Sequence, residues 1–286
     1  MRSLPNRFLA CISLLLLCSC AKSPFSNGLS TTREGKMDDR FRVLVANDNV
    51  DISLQQATET HPAGSYLVSA GDNIIDKILV ENPSHKTDTG TVVSYDTVVI
   101  HNDNRLNWLR PYDTEIKVTL YYDSIREVVF NSNGNLHSDA LHGVAEPGIS
   151  TTVNGQGDTI VTNTHLYCLY VNVIGGSGDL NLRVQCDRLS TNYMFGTARV
   201  NLKGRCPITF TYTSYNSHGP TDARDLWTNY HYIYHYGTNI VYAFAKHQID
   251  ANIYNNGIIR YRKDPNGAYP EVPLDDSLPN IEPIYD

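Results

Sequence analysis

The sequence predicts an all-β chain wound as a solenoid. Three observations carry that expectation: the residue types, a period-two alternation of apolar residues, and a slower rhythm of glycines near twenty residues. Nineteen Tyr, nineteen Gly and only three Met, with many Thr, Val and Ile, favour strands over helices. Segments such as Phe41-Arg42-Val43-Leu44-Val45, Val50-Asp51-Ile52-Ser53-Leu54 and Ile116-Lys117-Val118-Thr119-Leu120-Tyr121 alternate and are cut by Asn, Asp and Gly. That is the pattern of short strands with one buried face. From about residue 125, Gly134, Gly157, Gly178, Gly196, Gly219, Gly237 and Gly257 recur every 18 to 23 residues. A repeat of this length holds two or three short strands, and stacked repeats place equivalent residues above one another at ~4.8 Å.

The N-terminus precedes that domain. A basic start with Arg2 and Arg7 leads into the ten-residue apolar run Phe8–Leu17 and then Cys18-Ser19-Cys20. Ten residues are about half of the ~20 that cross a bilayer as a helix, so the run predicts a secretory signal over residues 1–19. Leu17-Cys18-Ser19-Cys20 resembles the bacterial lipobox, which implies lipid attachment at Cys20 and a membrane-lipid partner. The lipid holds the chain to a membrane. Ala21 follows where an Asp would signal inner-membrane retention, so the outer membrane is the expected address. Residues 20–40 are polar and read as a flexible tether.

Without residues 1–19 the chain keeps 21 basic against 30 acidic residues, which argues against a nucleic-acid partner. Six of the acids lie in the last 23 residues with no Lys or Arg, alongside five prolines, and residues 265–286 read as a mobile acidic tail. Cys168, Cys186 and Cys206 are too few for a disulfide framework. Cys168 and Cys186 each precede a glycine of the rhythm by ten residues, which predicts that these two stack as buried thiols in successive coils, with a slightly longer loop for Cys206.

The residues from Phe41 to Pro265 resemble the autotransporter adhesin head domain family named for its GIN repeats. The resemblance rests on Phe41–Leu54, Ala70-Gly71-Asp72-Asn73-Ile74-Ile75, Thr97–Ile100 with Asn107-Trp108-Leu109-Arg110, Gly175-Gly176-Ser177-Gly178-Asp179-Leu180, Ala223-Arg224-Asp225-Leu226 and Gly257-Ile258-Ile259-Arg260-Tyr261. It implies a right-handed single-stranded parallel β-helix over residues 41–264, pectin-lyase-like in shape, with adhesion as the role and no catalytic residues or cofactor. The repeats are degraded here, one coil alone keeping Gly-Ser-Gly-Asp.

Several constellations are weighed against plainer readings. Gly175–Asp179 resembles one copy of the calcium-binding nonapeptide repeats, but those sites need tandem copies. The plainer reading is a turn, with Asp179 bonding local backbone N–H groups. In Asn229–Tyr236 a strand puts His231, Ile233 and His235 on one face and Tyr230, Tyr232, Tyr234 and Tyr236 on the other. Histidines ~13 Å apart do not share a zinc ion. The tyrosines read either as a platform for sugar rings or as a stacked ladder. Asp222-Ala223-Arg224-Asp225 is the nearest approach to a catalytic acid and base, and reads equally as a charged corner. The expectation is a surface lipoprotein that contacts glycan, cell-surface or matrix ligands without catalysis; the alternatives are a carbohydrate-active lyase or hydrolase and a structural envelope component.

Cys20→Ala should release or mislocalise the chain while leaving the domain folded, read by cell fractionation with circular dichroism. Membrane attachment of that variant would contradict the lipobox reading.

Overall fold

The computed structural model describes residues 26–37, 41–86, 92–94, 96–104, 115–153, 159–272, 274 and 278–285. The signal segment 1–19, Cys20 and Asn107–Arg110 lie outside the described residues. The chain is all-β. Among the described residues no helix is long and apolar enough to cross a membrane.

The strands are β1 (Ser30–Lys36), β2 (Val43–Asp48), β3 (Asp51–Gln56), β4 (Ser65–Gly71), β5 (Ile78–Glu81), β6 (Ser84–Lys86), β7 (Val92–Ser94), β8 (Thr97–Asn102), β9 (Lys117–Tyr122), β10 (Glu127–Ser132), β11 (Leu136–His142) and β12 (Val144–Val153). They continue as β13 (Thr159–Gly176), β14 (Leu180–Gln185), β15 (Arg188–Gly196), β16 (Val200–Arg205), β17 (Ile208–Ser217), β18 (Thr221–Trp227), β19 (Tyr230–His235), β20 (Ile240–Ala243), β21 (Gln248–Ile253), β22 (Ile258–Lys263) and β23 (Ile281–Tyr285).

From β10 onward the chain alternates between two parallel sheets. One runs β10-β13-β15-β17-β19-β21 and the other β11-β14-β16-β18-β20-β22. Most strands here are six or seven residues long, and each layer of two strands is followed by a corner. Cys168 is in register with Arg188, Arg188 with Ile208, and Ile208 with Tyr230, so a layer takes about twenty residues. Alternation within each strand sends every second side chain into the space between the sheets. There Leu169, Val171 and Val173 lie under Leu189, Thr191 and Tyr193, and Leu180, Leu182 and Val184 under Val200, Leu202 and Gly204, the apolar ones in one buried cluster.

Before β10 the layers are out of chain order. β2 and β3 lie between β8 and β9 on one side and β10 and β11 on the other. Antiparallel β4 then covers β9, β1 covers β4, and β5 covers β8. The expectation of one continuous winding from residue 41 therefore fails for this part. The glycine rhythm is corrected as well. Gly134 and Gly178 are the true neighbours, the oxygen of Gly134 occupying the place of a Cβ on Gly178. The intervening residues include an antiparallel hairpin of β12 with the first half of β13, and Gly157 falls outside the described residues. Gly176 and Gly196 belong to a second column, with φ of 89° and 113° that favour glycine at the corner.

Two further expectations are overturned. The tether of residues 20–40 contains β1, paired over its whole length with β4. The tail of residues 265–286, expected to be mobile, ends in β23, which adds in parallel to β22. Ile281 is buried there, and Arg260 Nε donates to Glu282 Oε2 at 2.6 Å. The apolar Ile281, Ile284 and an acid matched to a neighbouring arginine outweigh the proline content of the segment.

The interior is not apolar throughout. A second buried cluster of Ile233, Val241, Ala243, Ile249, Ile259 and Tyr261 is distinct from the first. At this level Thr209, Thr211, Thr213, His231 and His235 face inward, all fully buried. Thr211 Oγ1 lies 2.9 Å from His231 Nε2, Thr213 Oγ1 bonds His235 Nδ1, and His235 Nε2 meets the Asn239 carbonyl at 2.9 Å. Burial holds both imidazoles below their ordinary pKa, His231 at about 4, against weaker opposing bonds to the Phe244 and Asn239 carbonyls. In the unfolded chain the same rings bind protons from about pH 6.5. Their neutral packing thus contributes stability that is fully present above pH 6.5 and is lost as the pH falls towards 4. Denaturant titrations should show a loss on the order of 3 kcal/mol from His231 over that window. His231→Gln should flatten the acid limb, and an unchanged slope in that variant would contradict the assignment.

Candidate ligand-binding flank

Outward columns follow from the same registers. On the sheet of β13, β15, β17, β19 and β21, one column reads Asn172, Asn192, Tyr212, Tyr234 and Asn252. Its first members form an amide ladder: Asn192 Nδ2 donates to Asn172 Oδ1 at 2.8 Å, and Asn172 Nδ2 to Glu127 Oε1 at 2.7 Å. Adjacent Tyr170 donates its hydroxyl to Glu146 at 3.2 Å and accepts from Arg188 at 2.7 Å. The face is therefore polar at β13 and β15 and turns aromatic at β17 and β19.

The structure places the four sequence-chosen tyrosines together on this outer face, opposite the buried His231, Ile233 and His235. Tyr230 and Tyr234 are about two-fifths exposed, at 40% and 41%. Tyr232 stacks on Phe210 with centroids 5.0 Å apart and planes 17° apart, and Tyr230 leans on His247 at 5.6 Å. Tyr236 lies parallel to Tyr254 at 4.2 Å and 7°, with Tyr212 and Tyr215 each 5.5 Å away. Desolvation among these rings, with the Tyr254 hydroxyl next, raises the Tyr236 phenol above its ordinary range. The row is a stacked ladder across strands and also an exposed aromatic surface.

Sequence reasoning missed part of it. The residues that follow the in-register set Val173, Tyr193, Thr213, His235 and Ile253 are Ile174, Met194, Ser214, Tyr236 and Tyr254, one column at the strand ends. Ile174, Met194 and Tyr254 are exposed, as are Phe195 and Tyr215 beside them. Tyr193 faces inward, where its hydroxyl donates to Ala198 O at 2.6 Å, and a register shift between Tyr193 and Phe195 turns Phe195 outward. The signal was an apolar residue immediately before a corner glycine, as in Ile174-Gly175, Phe195-Gly196 and Tyr236-Gly237.

The other candidate groups are engaged in local bonds. At the Gly175–Asp179 corner the backbone N–H of Asp179 donates to Asn135 Oδ1 at 2.9 Å, and Ser177 Oγ to Asn133 Oδ1 at 3.0 Å. The expected capping by the Asp179 carboxylate is thus performed by asparagines of the layer before. Asp222, on β18, accepts from Arg224 at 3.0 and 2.6 Å, while Arg224 lies over the Tyr242 ring at 4.4 Å. Burial alone would raise the Asp222 pKa, but these bonds outweigh it and hold the carboxyl below the usual range. Asp225 pairs with Lys203 at 3.1 Å. Among the described residues no three His, Cys, Asp or Glu side chains are arranged to hold a metal ion.

The family model of the putative auto-transporter adhesin, head GIN domain, matches residues 40–265. The chain belongs to that family. Its fold is similar to those of several crystal structures. A putative adhesin of Bacteroides fragilis is 17% identical, with a TM-score of 0.63 over 91% of this chain and 95% of the other. A putative lipid binding protein of Parabacteroides distasonis is 14% identical, with a TM-score of 0.51 over 92% and 94%. A putative adhesin of the same species is 13% identical, with a TM-score of 0.50 over 92% and 94%. No protein of curated function matches the sequence.

The inside and outside assignment can be checked by paired substitutions on β19. Ile233→Ala, at a fully buried site, should cost about 2–5 kcal/mol in a denaturant titration. Tyr234→Ala next to it should cost no more than about 1 kcal/mol. Equal costs would contradict the assignment.

Proposed function

We propose that the chain is a lipid-anchored, outer-membrane adhesin head that binds glycans along its aromatic flank and has no catalytic activity. The observation that carries this reading is the aromatic surface of exposed Phe195, Tyr215, Tyr230, Tyr234 and Tyr254, with half-buried Tyr236 stacked on Tyr254. Flat rings at successive ~4.8 Å levels suit a ligand that itself repeats, and the pyranose faces of a polysaccharide stack on such rings. Planar polar groups stand next to them: Asn252 bonds Asp250 at 3.4 Å, and the Asn172 and Asn192 ladder continues the same column. Family membership supports adhesion. The non-catalytic reading is supported by Asp222, whose carboxylate is engaged by Arg224 and so is a poor proton donor near neutral pH.

The same reading takes the layers from β10 onward as a right-handed parallel β-helix, because parallel strands of one sheet are joined almost always by right-handed crossovers. Cys20 supplies the lipid, and export follows from the signal resemblance of residues 1–19.

Binding of the full chain to immobilised polysaccharides and matrix proteins tests this reading directly. Tyr236→Ala with Tyr254→Ala should weaken glycan retention at least about tenfold, or ~1.4 kcal/mol, with unchanged folding. Retention of lipid vesicles instead of glycans would favour the activity named for one structural neighbour and contradict the proposal. New reducing ends or unsaturated sugars would contradict the non-enzymatic reading.

A further inference from the structure

Cys186 and Cys206 occupy the same corner of two consecutive layers. Gln185 is in register with Arg205 and Arg188 with Ile208, so the two cysteines, each one residue past its strand, face one another across the layer step. The ladder continues through this corner, Cys186 N–H donating to Arg205 O at 3.3 Å and Cys206 N–H to Trp227 O at 3.0 Å. This corrects the expectation that Cys168 stacks with Cys186, since Cys168 is in register with Arg188. The error came from aligning on Gly178 and Gly196, which belong to different columns.

Parallel neighbours stand ~4.8 Å apart, inside the 4.4–6.8 Å Cα window of a disulfide. All three thiols are free, and Cys206 Sγ donates to the Ile208 carbonyl at 3.1 Å. Burial, with Glu146 next, raises the Cys168 thiol to about 11. Cys186 also lines a cleft of about 630 Å³ with Gln56, His142, Gln185, Asp187 and Arg205, which gives a small oxidant a path to the Cys186 sulfur, while Cys206 is fully buried.

We infer that Cys186 and Cys206 are an oxidation site at which a peroxide closes a disulfide between successive layers. In the first step the sulfur of Cys186, at the cleft, attacks one peroxide oxygen. The O–O bond breaks, an S–O bond forms, and the leaving hydroxide takes up the proton lost by Cys186 as water. In the second step the Cys206 sulfur attacks the Cys186 sulfenic acid. The S–O bond breaks, the hydroxyl leaves with the Cys206 proton as a second water, and the S–S bond forms. Two thiols are oxidised and one hydrogen peroxide is reduced to two waters.

The full chain is exposed to hydrogen peroxide, freed of it, unfolded in denaturant with N-ethylmaleimide present, and digested with trypsin without reduction. The expected product joins the peptide Val184–Arg188 to the peptide beginning at Cys206, with Cys168 alkylated. Cys206→Ser should stop Cys186 at the sulfenic acid, captured by dimedone. Alkylation of both Cys186 and Cys206 after peroxide treatment, a sulfinic acid at either one, or a link through Cys168 would overturn the inference. The joined peptide is read from the unsubstituted chain, so the outcome does not depend on folding of the variant.

Discussion

In-register pairing between parallel layers is the constraint on which the rest of this structure depends. A strand of six residues buries little alone, and its backbone groups on each side are satisfied only by the strands above and below. Once Cys168, Arg188, Ile208 and Tyr230 are fixed above one another, every inward and outward column follows. The corners must then let backbones approach closely, which is why an oxygen stands where a Cβ on Gly178 or Gly219 would lie. Such a stack has open ends that invite pairing with other chains. Antiparallel β1, β4 and β5 cover the N-terminal end, and β23 extends the C-terminal one.

The same constraint makes the surface one-dimensional. A residue type repeated at one position becomes a continuous stripe, so amides at Asn172 and Asn192 become a hydrogen-bonded ladder, and aromatics at Tyr236 and Tyr254 become stacked rings. The inside obeys the same rule at a cost. Thr211 with His231 and Thr213 with His235 are buried in adjacent strands and bond each other across them, separating two apolar clusters and leaving the C-terminal layers sensitive to acid.

The strand class, the twenty-residue spacing after β13 and the two faces of Tyr230–Tyr236 were legible because short-range alternation and glycine spacing are local signals. What failed was non-local. Nothing local states that β2 lies between β8 and β10 and β3 between β9 and β11, or that the β12 hairpin separates Gly134 from its neighbour Gly178 by an extra turn of chain. The bulge at Tyr193 exchanges inside for outside within one strand, which hid Phe195 from the candidate flank. Prolines around Ile281–Tyr285 masked a strand whose registration comes from Arg260 and Ile259 on β22.

The central claim is that layers from β2 to β21 advance by one strand spacing each, and spin-label distances test it most directly. Val45, Val129, Asn172, Asn192, Tyr212, Tyr234 and Asn252 form one register column. Labels introduced as noncanonical side chains at Asn252 and Asn172, four steps apart, should be about 19 Å apart; labels at Asn252 and Val45, six steps apart, should be about 29 Å apart. A separation for the second pair equal to or shorter than the first would contradict the stacked order.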